Sequence, residues 1–402
     1  MKFFTSSVGP REFITLMASL MSIVAISIDA MVPALGAIGV DLGTTGPNQA
    51  QYIIIFIFVG MAIGQLVCGP LSDAMGRKPI IFSTIVLYLL GSVICLFSHS
   101  LPVMLLGRFL EGLGVSGPYV ASVSVIRDKF HGRQMARIMS LVMMIFIMVP
   151  AIAPSLGQGI LYVASWRAIF ALYIVYSLVI MMWIGLRMEE TLPVKQRVPF
   201  SVKNIIKGIT KVMRNRVTVC YMVCTGFVFG GLMGYLSSCQ QIFQVQYGVG
   251  QYFALCFGGL ALMFGASSLV NSKLVETVGM RPLCKRALLI NIGISALFLA
   301  INLLMAPPLW MFLLFAAVIF FNFGMLFGNL NALAMEPMGH IAGLASAIIG
   351  AFSSVLSLVV GTVIGQAYNG TLIPITVGFL VLGMGSMVMF MAAVKKDTGT
   401  AH

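Results

Sequence analysis

A chain of 402 residues that is 59% hydrophobic and 9% charged, with a mean hydropathy of +1.03, has too little polar surface to cover a water-soluble globule. Its formal charge of +13 comes from 24 basic and 11 acidic residues. The basic residues flank apolar runs, so the charge is a membrane-topology signal with an added attraction to anionic inner-leaflet lipid, and nucleic-acid binding is excluded.

The N-terminal MKFFTSSVGPRE leads into an apolar run too long for a signal h-region and without a small-residue cleavage pattern, so the first run is expected to remain as a helix. Apolar runs follow near 13–37, 50–71, 79–97, 101–125, 135–161, 167–188, 216–240, 250–275, 284–305, 308–333, 342–367 and 371–394. Most are about 20 residues or longer, enough for a helix to cross a hydrocarbon core of roughly 30 Å, and none alternates like a barrel strand. The expected fold is an all-α membrane protein of twelve transmembrane helices. Lys2, Arg11, Arg77, Lys78, Arg127, Lys129, Arg133, Arg137, the series from Arg187 to Arg216, Lys273, Arg281, Lys285, Arg286, Lys395 and Lys396 fall on one side, leaving only Arg108 and Arg167 off it. That side is cytoplasmic, and an even number of spans puts both termini there.

Between the sixth and seventh spans, KNIIKGITKV spaces Lys203, Lys207 and Lys211 along one helical face with apolar residues on others, the pattern of an amphipathic helix on the inner membrane surface. Three regions follow: a bundle over 1–190, a cytoplasmic linker over 191–215 and a second bundle over 216–402. The seven cysteines (68, 95, 220, 224, 239, 256 and 284) sit in or beside spans and form neither a disulfide framework nor a metal spacing. The four histidines (99, 131, 340 and 402) fall in loops or at the terminus, and no Walker A sequence or nucleophile elbow is present. No cofactor, no metal and no enzymatic activity are therefore expected.

The loop after the second span, GPLSDAMGRKP (69–79), is echoed after the eighth by NSKLVETVGMRP (271–282). A shift of about 203 places Asp73 on Glu276, Gly76 on Gly279, Lys78 on Arg281 and Pro79 on Pro282, so the twelve helices read as two pseudo-symmetric six-helix bundles, a plan of many secondary transporters. The 69–78 segment resembles the loop motif of the major facilitator superfamily, usually G-x-x-x-D-R-x-G-R-K, with Ala74 in place of the usual basic residue. Further segments resemble the superfamily's twelve-helix drug:proton antiporter branch: IDAMVPAL (28–35), RFLEGLG (108–114), PAIAPSLG (150–157), WRAIF (166–170) and EETLP (189–193). The fifth-span motif is most similar to the bicyclomycin-resistance (Bcr/CflA) multidrug efflux subfamily. The resemblance implies that Asp73 and Arg77 belong to a cytoplasmic gate. It also implies that Pro150, Pro154 and Gly157 pack at the interface of the halves and limit leak. Physically, Asp73 at the C-terminal end of its helix opposes the helix dipole and needs a cation, for which Arg127 and Arg133 are candidates.

Only Asp29, Arg108 and Glu111 carry formal charge deep in the spans. At 1.5 Å per residue they lie about 12, 10 and 15 Å inside the outer ends of their helices, and Arg108 and Glu111 share a face. A charge in hydrocarbon costs at least about 2.5–3.5 kcal/mol, so the three should face the bundle interior or a wet cavity. One reading makes Arg108 and Glu111 a static pair and Asp29 a cap on a break at Pro33. The other makes Asp29 the proton carrier, balanced between desolvation and a nearby Arg108, with Glu111, where relatives usually have Gln, as a second proton site. The second-half equivalents at a shift of 203 are Leu232, Met311 and Leu314, so coupling is expected to reside in the first half.

Tyr119, Phe146, Tyr235 and Phe323 are candidate aromatic contacts for a substrate, and Gln240, Asn322 and Asn329 candidate hydrogen-bonding groups, each able alternatively to bridge helices. Methionines within LVMMIFIM (141–148) suit either a promiscuous apolar site or lipid contact. The expected protein is a monomeric proton-coupled exporter of amphiphilic small molecules in a bacterial inner membrane, working by alternating access, with protons, small-molecule substrate and membrane lipid as its partners. The alternatives are a dedicated exporter of one endogenous metabolite, such as a siderophore or amino acid derivative, and a non-transporting receptor or scaffold.

Overall fold

The computed structural model describes residues 9–46, 48–130 and 132–397. The described chain is helical: α1 (Pro10–Asp29), α2 (Leu35–Asp41), α3 (Tyr52–Met75), α4 (Arg77–Leu96), α5 (Leu101–Lys129), α6 (Gly132–Val163), α7 (Arg167–Arg187), α8 (Val202–Arg214), α9 (Arg216–Gln240), α10 (Phe253–Val278), α11 (Met280–Leu304), α12 (Leu309–Met335), α13 (Ala342–Gln366) and α14 (Ile373–Asp397). Among the described residues, 12 helical stretches are long and apolar enough to cross a membrane, at the twelve expected places. The first comprises α1 and α2 joined by a 3₁₀ turn, Val32–Ala34. Pro33 has no N–H to give to the carbonyl of Asp29, and Ala34 N–H turns back to Met31 O at 2.9 Å, so the α-ladder stops at Asp29. His131, His402 and Lys2 lie outside the described residues, as do the side chains of Arg133, Arg137, His340, Lys395 and Lys396.

The chain forms two compact units, Met1–Ser201 and Val202–His402. In the first, α5 packs between α3 and α4, α1 packs against α5, α6 and α7, and α4 against α7. The second repeats these pairings: α12 against α10 and α11, α9 against α12, α13 and α14, and α11 against α14. The approach of α3 to α5 depends on glycine, because a Cβ on Gly112 would strike the Ile57 carbonyl and one on Gly60 the Phe109 carbonyl.

The repeat register differs from the constant shift expected from sequence. α4 and α11 begin 203 positions apart, but α11 has 25 residues against 20, so α5 and α12 begin 208 apart. The contact of Gly107 with Cys95 has its counterpart in the stacked rings of Phe315 and Phe298, 4.2 Å between centroids. The counterparts of Arg108 and Glu111 are therefore Ala316 and Ile319, both buried, rather than Met311 and Leu314, the latter 62% exposed to the surroundings.

α8 belongs to the second unit. Its Gly208 and Val212 face inward, with Gly208 against Leu344 and Ile348 of α13. Lys203, Lys207 and Lys211 are exposed, and beside them Val202, Ile206, Ile209 and Met213 form an exposed apolar stripe. The preceding segment stays with the first unit: Val198 N–H donates to Asp73 O at 3.0 Å.

Candidate functional site

The break after α1 leaves the Ser27 carbonyl without a helical donor, and side chains from other helices take it up. Arg108 of α5 donates from Nη2 to Ser27 O at 2.9 Å, and Tyr173 of α7 donates its hydroxyl to the same oxygen at 3.3 Å. Ser27 Oγ gives its one proton to Ile23 O at 2.5 Å, so the 2.6 Å contact with Tyr88 of α4 is a donation from the tyrosine. Arg108 also donates from Nε to Ile53 O at 3.1 Å and from Nη1 to Glu111 Oε2 at 2.5 Å. Ser92 donates to Glu111 Oε1 at 2.6 Å. The Arg108 guanidinium lies 5.9 Å from the Phe170 ring centroid. Arg108 and Glu111 are both 0% exposed. A bare charge so placed would be untenable; here the guanidinium meets a carboxylate and two carbonyls, and each carboxylate oxygen meets a donor.

Asp29 is buried at the very end of α1, two residues beyond this junction. The Arg108 guanidinium bonds the Ser27 carbonyl, two residues from Asp29, and turns its other arm to Glu111. Among the described residues Asp29 has no hydrogen bond or ion pair. α6 closes over the break, since a Cβ on Gly157 would strike the Ala30 carbonyl. Gly157 thus meets the first span within its own unit. Pro154 is buried one turn earlier and Pro150 half-buried a turn before that.

At the end of α3, the cation facing Asp73 is Arg77, at 2.5 Å, rather than Arg127; the side chain of the other candidate, Arg133, lies outside the described residues. Arg77 also donates to Ser72 Oγ at 3.0 Å and, from Nε, to Asp128 Oδ2 at 2.9 Å; Thr191 donates to that same oxygen at 3.1 Å. Glu190 accepts from the backbone N–H groups of Arg77 (3.0 Å), Lys78 (3.1 Å) and Leu192 (2.9 Å), capping α4 from the far end of the unit's sequence. Gly76 turns this corner at φ 107°, a conformation suited to glycine, and a Cβ there would press on the Glu190 carboxylate.

The remaining candidates are scattered. Tyr119 and Phe146 meet at 6.3 Å between centroids. Tyr235 sits in an aromatic cluster with Phe243, Phe257 and Phe320. Phe323 packs on Phe320 and Phe379. Gln240 bonds Gln244 at 3.0 Å, and Asn322 is buried. Asn329 bridges to Asn271 of α10 at 2.7 Å, the helix-bridging alternative. Met144 and Met148 are exposed on α6. Sequence reasoning missed Ser27, Tyr88, Ser92, Tyr173, Asp128 and Glu190; the Glu-Glu of EETLP was the one signal pointing to any of them.

A bundle of membrane helices built as a twofold repeat, with charges closed on one another inside one unit, defines a polytopic membrane transport protein. The chain belongs to the Major Facilitator Superfamily, whose family model matches residues 15–362. It is 30% identical over 371 residues to YdgK of Bacillus subtilis (strain 168), described as an uncharacterized MFS-type transporter, with 91% of each chain covered. It is 26% identical over 367 residues to a bicyclomycin resistance protein homolog of Haemophilus influenzae, covering 90% of this chain and 91% of the relative. It is likewise 26% identical over 373 residues to the multidrug resistance protein MdtL of Shigella dysenteriae serotype 1, covering 91% and 92%. Among solved structures, the partially occluded inward-open xylose transporter XylE of E. coli matches with a TM-score of 0.71 at 14% identity, over 94% of this chain and 97% of that one. That likeness concerns the fold.

Proposed function

We propose that this transporter is a proton-coupled exporter of amphiphilic small molecules, a drug:proton antiporter working by alternating access, with Asp29 as the proton carrier. The observation that carries the reading is the state of Asp29: a buried carboxylate at a helix break, without a hydrogen-bonded partner among the described residues, near a guanidinium engaged with Ser27, Ile53 and Glu111. Such a carboxylate can gain a proton from one side and release it to the other without dismantling the packing around it. The names of the relatives, multidrug resistance and bicyclomycin resistance, support a drug as cargo. Arg108, Glu111 and Ser92 hold the break in place, and the Asp73–Arg77–Asp128 cluster with Glu190 acts as the cytoplasmic latch. The distribution of basic residues supports an inner-membrane location with cytoplasmic termini. The exposed lysines and apolar stripe of α8 support contact with anionic lipid, and the protein acts as a monomer.

The test is proton release from energised inside-out vesicles, followed with a pH-gradient dye as candidate compounds are added, for wild type and Asp29→Asn in parallel. Compound-induced dequenching in wild type that vanishes in the variant is the expected result. Dequenching that survives in the variant overturns the assignment of Asp29, and its absence with every compound favours a dedicated exporter.

A further inference from the structure

The second unit keeps half of the polar network that surrounds Arg108 and Glu111 and lacks the charges themselves. Tyr88 and Ser92 of α4, which bond Ser27 and Glu111, correspond on α11 to Asn291 and Ser295. The places of Arg108 and Glu111 are taken by Ala316 and Ile319 of α12. Both replacements remove hydrogen-bonding capacity, and the first removes most of an arginine's volume.

Two consequences are visible. Asn291 Oδ1, Ser295 Oγ and, from α14, Ser386 Oγ are buried without a hydrogen-bond partner among the described residues. Their residues are 4%, 0% and 1% exposed. Asn291 and Ser386 also line one side of a small cavity whose other walls include Leu288, Ile319, Phe323 and Phe379. Leaving a buried acceptor and two hydroxyls unpaired is unfavourable, so the site calls for a hydrogen-bonding partner. A cation is excluded as occupant, because no carboxylate lies among the residues lining the cavity and an unpaired buried charge is far costlier than an unpaired hydroxyl. The cavity has room for about one water molecule, and Asn291 and Ser386 give such a water two polar partners.

We infer that the second unit holds an internal water, bonded to Asn291 and Ser386, in the place where the first unit holds its Arg108–Glu111 pair. This water links α11 to α14 and satisfies Asn291 Oδ1 and Ser386 Oγ beside Ile319, the counterpart of Glu111. The inference is independent of the transport reading above.

Radiolytic hydroxyl-radical footprinting of the purified protein in ¹⁸O-labelled water tests it, because radicals born from a bound water oxidise the rings beside it even when bulk solvent cannot reach them. In wild type, Phe323 and Phe379 are expected to be oxidised, whereas Phe390, likewise buried but not among the residues lining the cavity, is not. In Asn291→Leu, which fills the space, oxidation of both rings should fall severalfold while the Phe390 baseline holds. Ser386→Ala, a milder change, should lower it by less and serves if the first variant does not fold. Rings as inert as Phe390 in wild type, or oxidation unchanged in a folded Asn291→Leu or Ser386→Ala protein, would overturn the assignment.

Discussion

Removing Glu111 tests whether the buried pair in the first unit is structural. In Glu111→Ala the Arg108 guanidinium keeps its bonds to Ile53 O and Ser27 O but loses the carboxylate at 2.5 Å, and Ser92 loses its acceptor at 2.6 Å. With both side chains of the pair 0% exposed, solvent offers no replacement. Breaking a buried pair by deleting one partner costs about 3–5 kcal/mol. Glu111→Gln retains the shape and an acceptor for one of the two donors, and should cost roughly half as much or less, in line with a charged hydrogen bond exchanged for a neutral one. For a unit of this size 1 kcal/mol moves the midpoint by about 2–4 °C, so the alanine variant should melt on the order of 10 °C below wild type, with glutamine between them. Thermal unfolding in detergent, read by intrinsic fluorescence and by retention of a monodisperse peak, ranks the three. An alanine variant within about 1 kcal/mol of wild type, the range of an exposed pair, refutes the reasoning, as does a glutamine variant no better than alanine.

Asp29→Asn should leave the melting midpoint within about 1 kcal/mol of wild type, because no hydrogen bond is lost with the charge, while abolishing proton-coupled efflux in the vesicle assay. Gly157→Val should lower both stability and transport, since its side chain strikes the Ala30 carbonyl; Gly159→Val, with open space around it, should lower stability far less. Glu190→Ala should cost about 1 kcal/mol by uncapping α4, measured by thermal unfolding, and should raise protease access to the 189–198 segment. An uncapped variant with unchanged proteolysis would separate the cap from the latch.

Much of this was legible because membrane helices advertise themselves by length. The twelve spans and the shared face of Arg108 and Glu111 follow from a 1.5 Å rise and a three-residue spacing, both local quantities, and the internal repeat from the echo of the 69–79 loop at 271–282. The network around Ser27 was not, for two physical reasons. Its principal acceptor is a backbone carbonyl, left open where the α-ladder of α1 gives way to the 3₁₀ turn, and a carbonyl leaves no mark in a sequence. Its donors, Tyr88, Tyr173 and Arg108, come from three helices that meet only when α5 slots between α3 and α4. The repeat register failed in α12 for a simpler reason: the five added residues at the end of α11, Ala300 to Leu304, are apolar but for Asn302 and look like any other stretch of span, so a constant shift ran past them unnoticed.

The same geometry sets the two deep carboxylates apart. A proton carrier must exchange its proton as access alternates, so its oxygens cannot both be committed to fixed donors in a closed interior. Glu111 is committed on both oxygens, to Arg108 and to Ser92, and protonating it would strand a buried guanidinium. Asp29 has no such commitment. It sits where the helix has already surrendered its backbone bonds, so a change at its carboxyl group disturbs no ladder. Glu111→Gln should therefore retain compound-driven proton release, at a rate reduced by its looser packing, where Asp29→Asn loses it altogether. Coupling lost equally in both variants, with the glutamine protein still folded, would return Glu111 to the proton path and make the buried pair a working part of it.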